Sequence, residues 1–201
     1  MKTVADPARN LDERFTYGDY KMWPDEERWE LIGGQAWSIS PAPSTRHQGI
    51  QVRLVSELAL FLKGKSCRVF DAPFDVLLPS GDELEDEIDT VVQPDIVVYC
   101  DKSKLTARGA CGAPDLVAEI LSPSTSKKDF NEKFNLYEKH RVREYWVVDP
   151  GNESILVFRP KSGGGYDEGE LRDMVRNSSP IASRVLEGFV VDPKELFTDL
   201  D

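Results

Sequence analysis

Histidine and cysteine, the side chains that most often announce a metal or a nucleophile, are scarce here: two histidines and three cysteines in 201 residues. Cys67, Cys100 and Cys111 are odd in number and show no CxxC spacing. That speaks against a thiolate zinc site and against a disulfide framework, and leaves buried, unreactive thiols as the expectation. No apolar run approaches the ~20 residues that cross a bilayer, and the opening "MKTVADPARNLDERF" lacks an apolar signal-peptide core. Neither a membrane protein nor a secreted one is indicated, so the cytoplasm is the expected location. GxGxxG and the P-loop string GxxxxGK followed by Ser or Thr do not occur, which removes support for a dinucleotide or P-loop site. Basic residues are the minority, 25 against 36 acidic, for a net charge of −11. That balance argues against a protein that holds nucleic acid by bulk electrostatics, and any such site must be local.

What is present is enough apolar residue, 40% of the chain, to bury one sizeable core. A single domain is expected over residues 19–201, behind a polar, flexible segment at 1–18. Residues 19–27 are expected to form a short helix. "RWELIGGQAWSIS" alternates about Gly33-Gly34, the signal for a hairpin with strands at about 28–32 and 35–39. From Thr45 to about Lys63, Ile50, Leu54, Leu58 and Phe61 keep helical spacing behind a Ser44 or Thr45 cap. "CRVFDAPFDVLLP" reads as two short strands, and the acidic "GDELEDEIDT" as a solvated turn. "VVQPDIVVY" and "PDLVAEILS" read as buried strands joined by a connection. Phe130, Phe134 and Tyr137 mark a second helix to about His140, followed by the strands of "REYWVVDPGNESILVFRP". The tail adds a strand pair and a final helical turn. Strands gathered around two helices predict a mixed α/β or α+β sheet rather than a doubly wound one with strict alternation.

Two acids sit where apolar strands should least accept them: Asp95 opening "PDIVVY" and Glu119 inside "LVAEILS". Burying a carboxylate costs several kcal/mol unless it is paired or binds a metal. On neighbouring strands the two can converge and hold a hard divalent cation. A lysine-rich helix follows, and Lys133, flanking the aromatic stripe, can lean toward Glu119. A salt bridge or an edge position for each acid, and a solvated Lys133, are the plainer alternatives.

The stretch from "QPDIVVYCDKSKL" through "PDLVAEILSPSTSKKDFNEKFNLYEKHRVREYWVVDP" resembles the Uma-type restriction-endonuclease family of the PD-(D/E)xK nuclease superfamily. The likeness extends to "WELIGGQAWSIS", "PSTRHQGIQVRLVSELALFL" and "DPKELF", nearly the whole chain after about residue 15. The resemblance implies a restriction-endonuclease-like α/β fold: a mixed central sheet flanked by helices, with an N-terminal β-hairpin and a C-terminal strand pair. Asp95 matches the Asp of the PD motif and Glu119 the (D/E) position. The superfamily lysine stands two residues after that acid, where this chain has Leu121. Lys133 is the matching lysine on the following helix, with Lys127 and Lys128 as substitutes or DNA contacts, and Glu30 and His47 fall at further family positions.

Carried over, Asp95 and Glu119 would hold Mg2+ or Mn2+ with help from the Ile120 carbonyl, and Lys133 would orient water or neutralise charge on the phosphorane. The implied activity is Mg-dependent hydrolysis of DNA phosphodiesters. Lys127, Lys128, Lys133, Arg141 and Arg143 would form a local basic cleft. The alternatives are a catalytically silent nuclease-like module acting through protein partners, and a metal enzyme on another phosphate-containing substrate. "YWVV" and "GFVV" are apolar runs that either the domain buries or a homodimer shares, and double-strand cutting suits a two-fold pair.

Overall fold

A computed structural model of the chain describes residues 13–24, 27–39, 44–122 and 128–200, with residues 128–130 described by their backbone. They gather into two compact units, each considered by itself: the described residues before 43 with Pro73–Gln93 and Lys104–Ala113, and then Pro43–Ala72, Pro94–Ser103 and the chain from Pro114 onward. Of the expected flexible segment at 1–18, residues 1–12 lie outside the described residues.

The first unit opens with a one-turn helix, α1 (Tyr17–Tyr20). It begins earlier than the expected 19–27, because the Asp19 carboxylate turns back to accept the Thr16 amide at 3.1 Å. Pro24 then disfavours helical backbone at Trp23. Strands β1 (Trp29–Ile32) and β2 (Gln35–Ser38) form the expected hairpin. Its two-residue turn needs positive φ twice, and Gly33 and Gly34 supply +55° and +78°. After β3 (Arg68–Asp71), which belongs to the second unit, come β4 (Asp75–Leu77) and β5 (Val91–Val92). Beyond β6 (Ile96–Tyr99), again of the second unit, the chain gives β7 (Gly109–Cys111). The sheet runs β2-β1-β5-β4-β7, antiparallel except for the parallel β4–β7 pair. β7 lies within what reads in sequence as a mere connection. Its Gly109 is obligatory: a Cβ there would stand 2.0 Å from the Asp75 carbonyl oxygen. Between β4 and β5 the acidic stretch makes one exposed 3-10 turn, Glu85–Glu87, as a solvated segment should.

The second unit is built on a six-stranded mixed sheet. After α2 (Thr45–Leu62), β3 and β6, its strands are β8 (Leu116–Ile120), β9 (Glu144–Asp149), β10 (Ser154–Phe158) and β11 (Glu170–Asp173). α3 (Lys128–Lys139) links β8 to β9 as a crossover, so those two strands run parallel. The order is β11-β10-β9-β8-β6-β3. The sequence reading did not include β11, whose "ELRD" lacks a run of apolar residues.

α2 forms because Ile50, Leu54, Leu58 and Leu62 recur every fourth residue, and Ser44 caps it by accepting the His47 amide at 3.2 Å. That stripe packs with Ile96, Val98, Leu116, Ala118, Ile120 and Trp146. Each of the leucine, isoleucine and valine side chains among them contributes about 1.5–3 kcal/mol by leaving water. Because strand residues alternate, Glu119 points away from that cluster, toward α3. The mixed sheet flanked by helices is therefore observed. The tail supplies the expected strand pair, β12 (Ile181–Ala182) with β13 (Val190–Val191), and a last turn, α4 (Pro193–Phe197), capped by Asp192. Of the two apolar runs, Tyr145–Val148 is buried in its own unit, as are Phe189 and Val191, while Gly188 and Val190 are exposed.

The cysteines differ from expectation. β3 and β6 pair antiparallel with Arg68 opposite Tyr99. One step further along, Cys67 and Cys100 meet and are joined by a disulfide. Their 33-residue separation hides the pairing, because only the strand register brings them together. Cys111 remains free, and burial pushes its thiol pKa up. Alkylation of unfolded, non-reduced protein is expected to modify one thiol per chain, and three after reduction. In the folded protein Cys111 should react slowly, since its thiolate is scarce near neutral pH. Three thiols without reduction would refute the pairing.

Candidate metal centre

The register Ile96 opposite Ala118 carries Asp95, the residue before β6, to the end of β8. There its Oδ2 accepts the Ile120 amide at 2.7 Å, a bond to the residue directly after Glu119. The Asp95 carbonyl oxygen accepts the Ala72 amide at 3.1 Å and Gln51 Nε2 at 3.2 Å. His47, in the first turn of α2, places Nε2 3.3 Å from Asp95 Oδ2. His47 and Gln51 are four residues apart and so share one helix face. Together they hold the side chain and backbone of one acid.

Glu119 is held by the other helix in the same way. Its Oε1 accepts Lys133 Nζ at 2.9 Å and the Tyr137 hydroxyl at 2.6 Å. Lys133 and Tyr137 are again four residues apart. The side chains of Glu119 and Lys133 are 11% and 16% exposed, which shields the ion pair from solvent screening far more than a surface pair. Tyr137 is fully buried and packs edge-on against Tyr145, ring centroids 5.0 Å apart. Burial, and next the Glu119 charge, raise the Tyr145 pKa well above the usual phenol value. Burial alone would lower the His47 pKa, but its hydrogen bond to Asp95 and that residue's charge outweigh it, and the imidazole pKa is raised.

The structure thus brings Asp95, Glu119, Lys133 and His47 into one neighbourhood of the second unit. Glu30 lies in the first unit, on β1, where its Oε1 accepts the Gln93 amide at 2.8 Å. Lys127 lies outside the described residues, and Lys128 is described only as backbone at the start of α3. Arg143 pairs with Asp115 at 2.9 Å. Sequence reasoning missed two supports. Tyr137 reads as one member of an apolar stripe, and Gln51 as a polar residue of an amphipathic helix. The available signal was spacing: each stands four residues after a candidate site residue.

The donor set fits a hard cation of modest appetite. Among the described residues no three His, Cys, Asp or Glu side chains group to hold a metal, so a cation would rest on the two carboxylates. Mg2+ binds in that manner, keeping waters and taking one or two carboxylates plus substrate phosphate. Asp95 Oδ1 has no hydrogen bond among the described residues, which leaves an oxygen donor beside β8. His47 Nδ1 is likewise buried without a partner there.

The whole chain can now be set beside known proteins. A crystal structure titled as a "putative nuclease belonging to DUF820" from Anabaena variabilis superposes with a TM-score of 0.72 at 25% identity, covering 92% of this chain and 99% of that one. Two Synechocystis proteins described as uncharacterized are also similar. One, slr1290, is 25% identical over 74% of this chain and 75% of its own length, and the other, sll1609, is 27% identical over 61% and 67%. The family described as "Putative restriction endonuclease" (Uma2) matches residues 17–194. With that match spanning most of the sequence and a nuclease-like fold beneath it, the chain belongs to the Uma2 family.

Proposed function

We propose that the protein is a Mg2+-dependent endonuclease that hydrolyses DNA phosphodiester bonds, with Asp95 and Glu119 as metal ligands and Lys133 beside them. The observation that supports it most is the Lys133 ammonium 2.9 Å from Glu119 Oε1. A cation of the helix stands at the acid of β8, although the position two residues on is Leu121. Asp95 and Glu119 would hold the divalent cation, which would supply Lewis-acid activation of a phosphate and of the attacking water. Lys133 keeps positive charge where negative charge builds on the phosphorane oxygens. Tyr137 fixes the Glu119 rotamer by donating to it. His47 does the same for Asp95 through Nε2. Hydrolysis needs no covalent intermediate on any of these groups. Its setting would be the cytoplasm, where such an enzyme meets DNA, and a two-fold pair of chains would address both strands of a duplex.

A second reading, a nuclease-like module that works through protein partners without cutting, draws its support from the net charge of −11, which works against holding a polyanion. Calorimetric titration with Mg2+ and Mn2+, followed by nicking of supercoiled plasmid, separates the two. Metal binding with nicking is expected. An absence of both, in protein that is folded, would favour the module.

A further inference from the structure

The first unit contains a cavity of about 350 Å3 that plays no part in the metal centre. Its volume falls in the ~300–1,000 Å3 range of small-ligand sites. The walls are aromatic. Tyr17, Tyr20, Trp23 and Trp29 all line it, with Trp23 edge-on to Trp29 at 5.8 Å and tilted against Tyr20 at 5.6 Å between ring centroids.

Its polar groups are fixed in advance and only partly used. Asp75 Oδ1 accepts the Tyr20 hydroxyl at 3.0 Å and Gln93 Nε2 at 2.8 Å. Gln93 Oε1 in turn accepts Arg28 Nε at 3.0 Å. Among the described residues, Asp75 Oδ2 and the two terminal nitrogens of Arg28 make no hydrogen bond, and neither does the guanidinium of Arg108, which also lines the cavity. Lys21, paired with Asp86, and Glu27, whose Oε2 accepts the Trp29 indole N–H at 3.0 Å, also line the cavity. Beside them, the open Asp75 oxygen and two guanidinium groups are set in an aromatic box. A cationic ligand would meet the repulsion of Arg28 and Arg108. A simple anion would meet that of Asp75 and gain nothing from the rings. A ligand with a flat face, N–H donors and a phosphate satisfies all three features.

We propose that this cavity binds a nucleoside 5′-phosphate unit. The base stacks against Trp23 and Tyr20 and donates an N–H to Asp75 Oδ2, while the phosphate meets Arg28 and Arg108. The assignment rests on residues of the first unit alone and not on the proposed metal centre.

Quenching of tryptophan fluorescence by dGMP, by deoxyguanosine and by a short guanine-containing single strand tests it. Saturable binding of dGMP is expected. Trp23→Ala should weaken it about tenfold or more, the loss of one stacking partner. Asp75→Asn, which keeps Oδ1 and replaces the open acceptor with a donor, should weaken dGMP and deoxyguanosine alike. Arg108 is exposed, so Arg108→Ala should leave the fold intact and weaken dGMP but not deoxyguanosine. Tighter binding of the strand than of dGMP would assign the site to nucleic acid, and equal or weaker binding would assign it to free nucleotides. No saturable binding by wild type, or binding indifferent to both Asp75→Asn and Arg108→Ala, would overturn the proposal.

Discussion

Replacing Asp95 with alanine is expected to lower metal-dependent nicking by about a thousandfold or more, ~4 kcal/mol of barrier, and to remove measurable Mg2+ binding. Alanine also deprives the Ile120 amide of its acceptor, and a stranded amide costs about 1–3 kcal/mol of stability. Asp95→Asn separates the two effects, because an amide oxygen can still accept from Ile120 while the charge is gone. Calorimetry on the asparagine protein should show weakened metal binding with an unchanged unfolding midpoint. Wild-type metal affinity and nicking in that protein would show that Asp95 serves the fold alone. Lys133→Met completes the comparison. Relieved of its ammonium partner, Glu119 should hold a cation at least as well as before, while nicking falls. If nicking is unaffected, Lys133 only neutralises a buried acid.

The other large effect lies in a charge cluster remote from any proposed chemistry. Glu144 is fully buried at the start of β9. Its Oε1 accepts Arg159 Nε and the Arg184 amide, both at 2.8 Å, and its Oε2 accepts the Ser183 hydroxyl at 2.5 Å. Arg159 extends the network to Glu170 at 2.8 Å and to the Ala182 carbonyl at 3.0 Å. Burial alone would lower the Arg159 pKa, but its hydrogen bonds to Glu144 and Glu170 outweigh this and raise it. The network therefore ties β9, the end of β10, β11 and the C-terminal strand pair through one guanidinium. Glu144→Ala leaves that guanidinium with the part-exposed Glu170 as its remaining counter-charge, deprives the Ser183 hydroxyl and the Arg184 amide of their acceptor, and should cost about 3–5 kcal/mol in urea denaturation. A double replacement, Glu144→Leu with Arg159→Met, should recover much of the loss, since no charge is stranded. A loss below about 1 kcal/mol for Glu144→Ala would mean that the cluster behaves like an exposed ion pair.

These residues mark what can be read from the chain and what cannot. The hairpin, α2 and the buried strands follow from local patterns, because Gly33-Gly34 and the four-residue recurrence from Ile50 to Leu62 each act within a few positions. Asp95 and Glu119 stood out for the same reason, as acids inside short apolar runs. Lys133 stood out by its place beside the aromatic stripe of the following helix and again through the family resemblance, and its ammonium does meet Glu119. Everything that depends on register was hidden. Glu144 looks like an ordinary strand-leading acid until Arg159, fifteen residues on, folds back to it. Cys67 and Cys100 become partners only when β3 and β6 align. The aromatic cavity draws on Tyr20, Asp75 and Gln93, which no spacing rule connects.

The Cys67–Cys100 link also changes what a break in the backbone would mean. Between these cysteines the chain leaves the second unit after Ala72, supplies β4 and β5 to the first, and returns at Pro94, one residue before Asp95. The whole excursion is a covalently closed ring. Its most accessible stretch is the run of exposed residues 80–87, rich in sites for a glutamate-specific protease. A nick there opens the ring without dividing the molecule, and the halves stay one species in a denaturing gel until a reductant parts them.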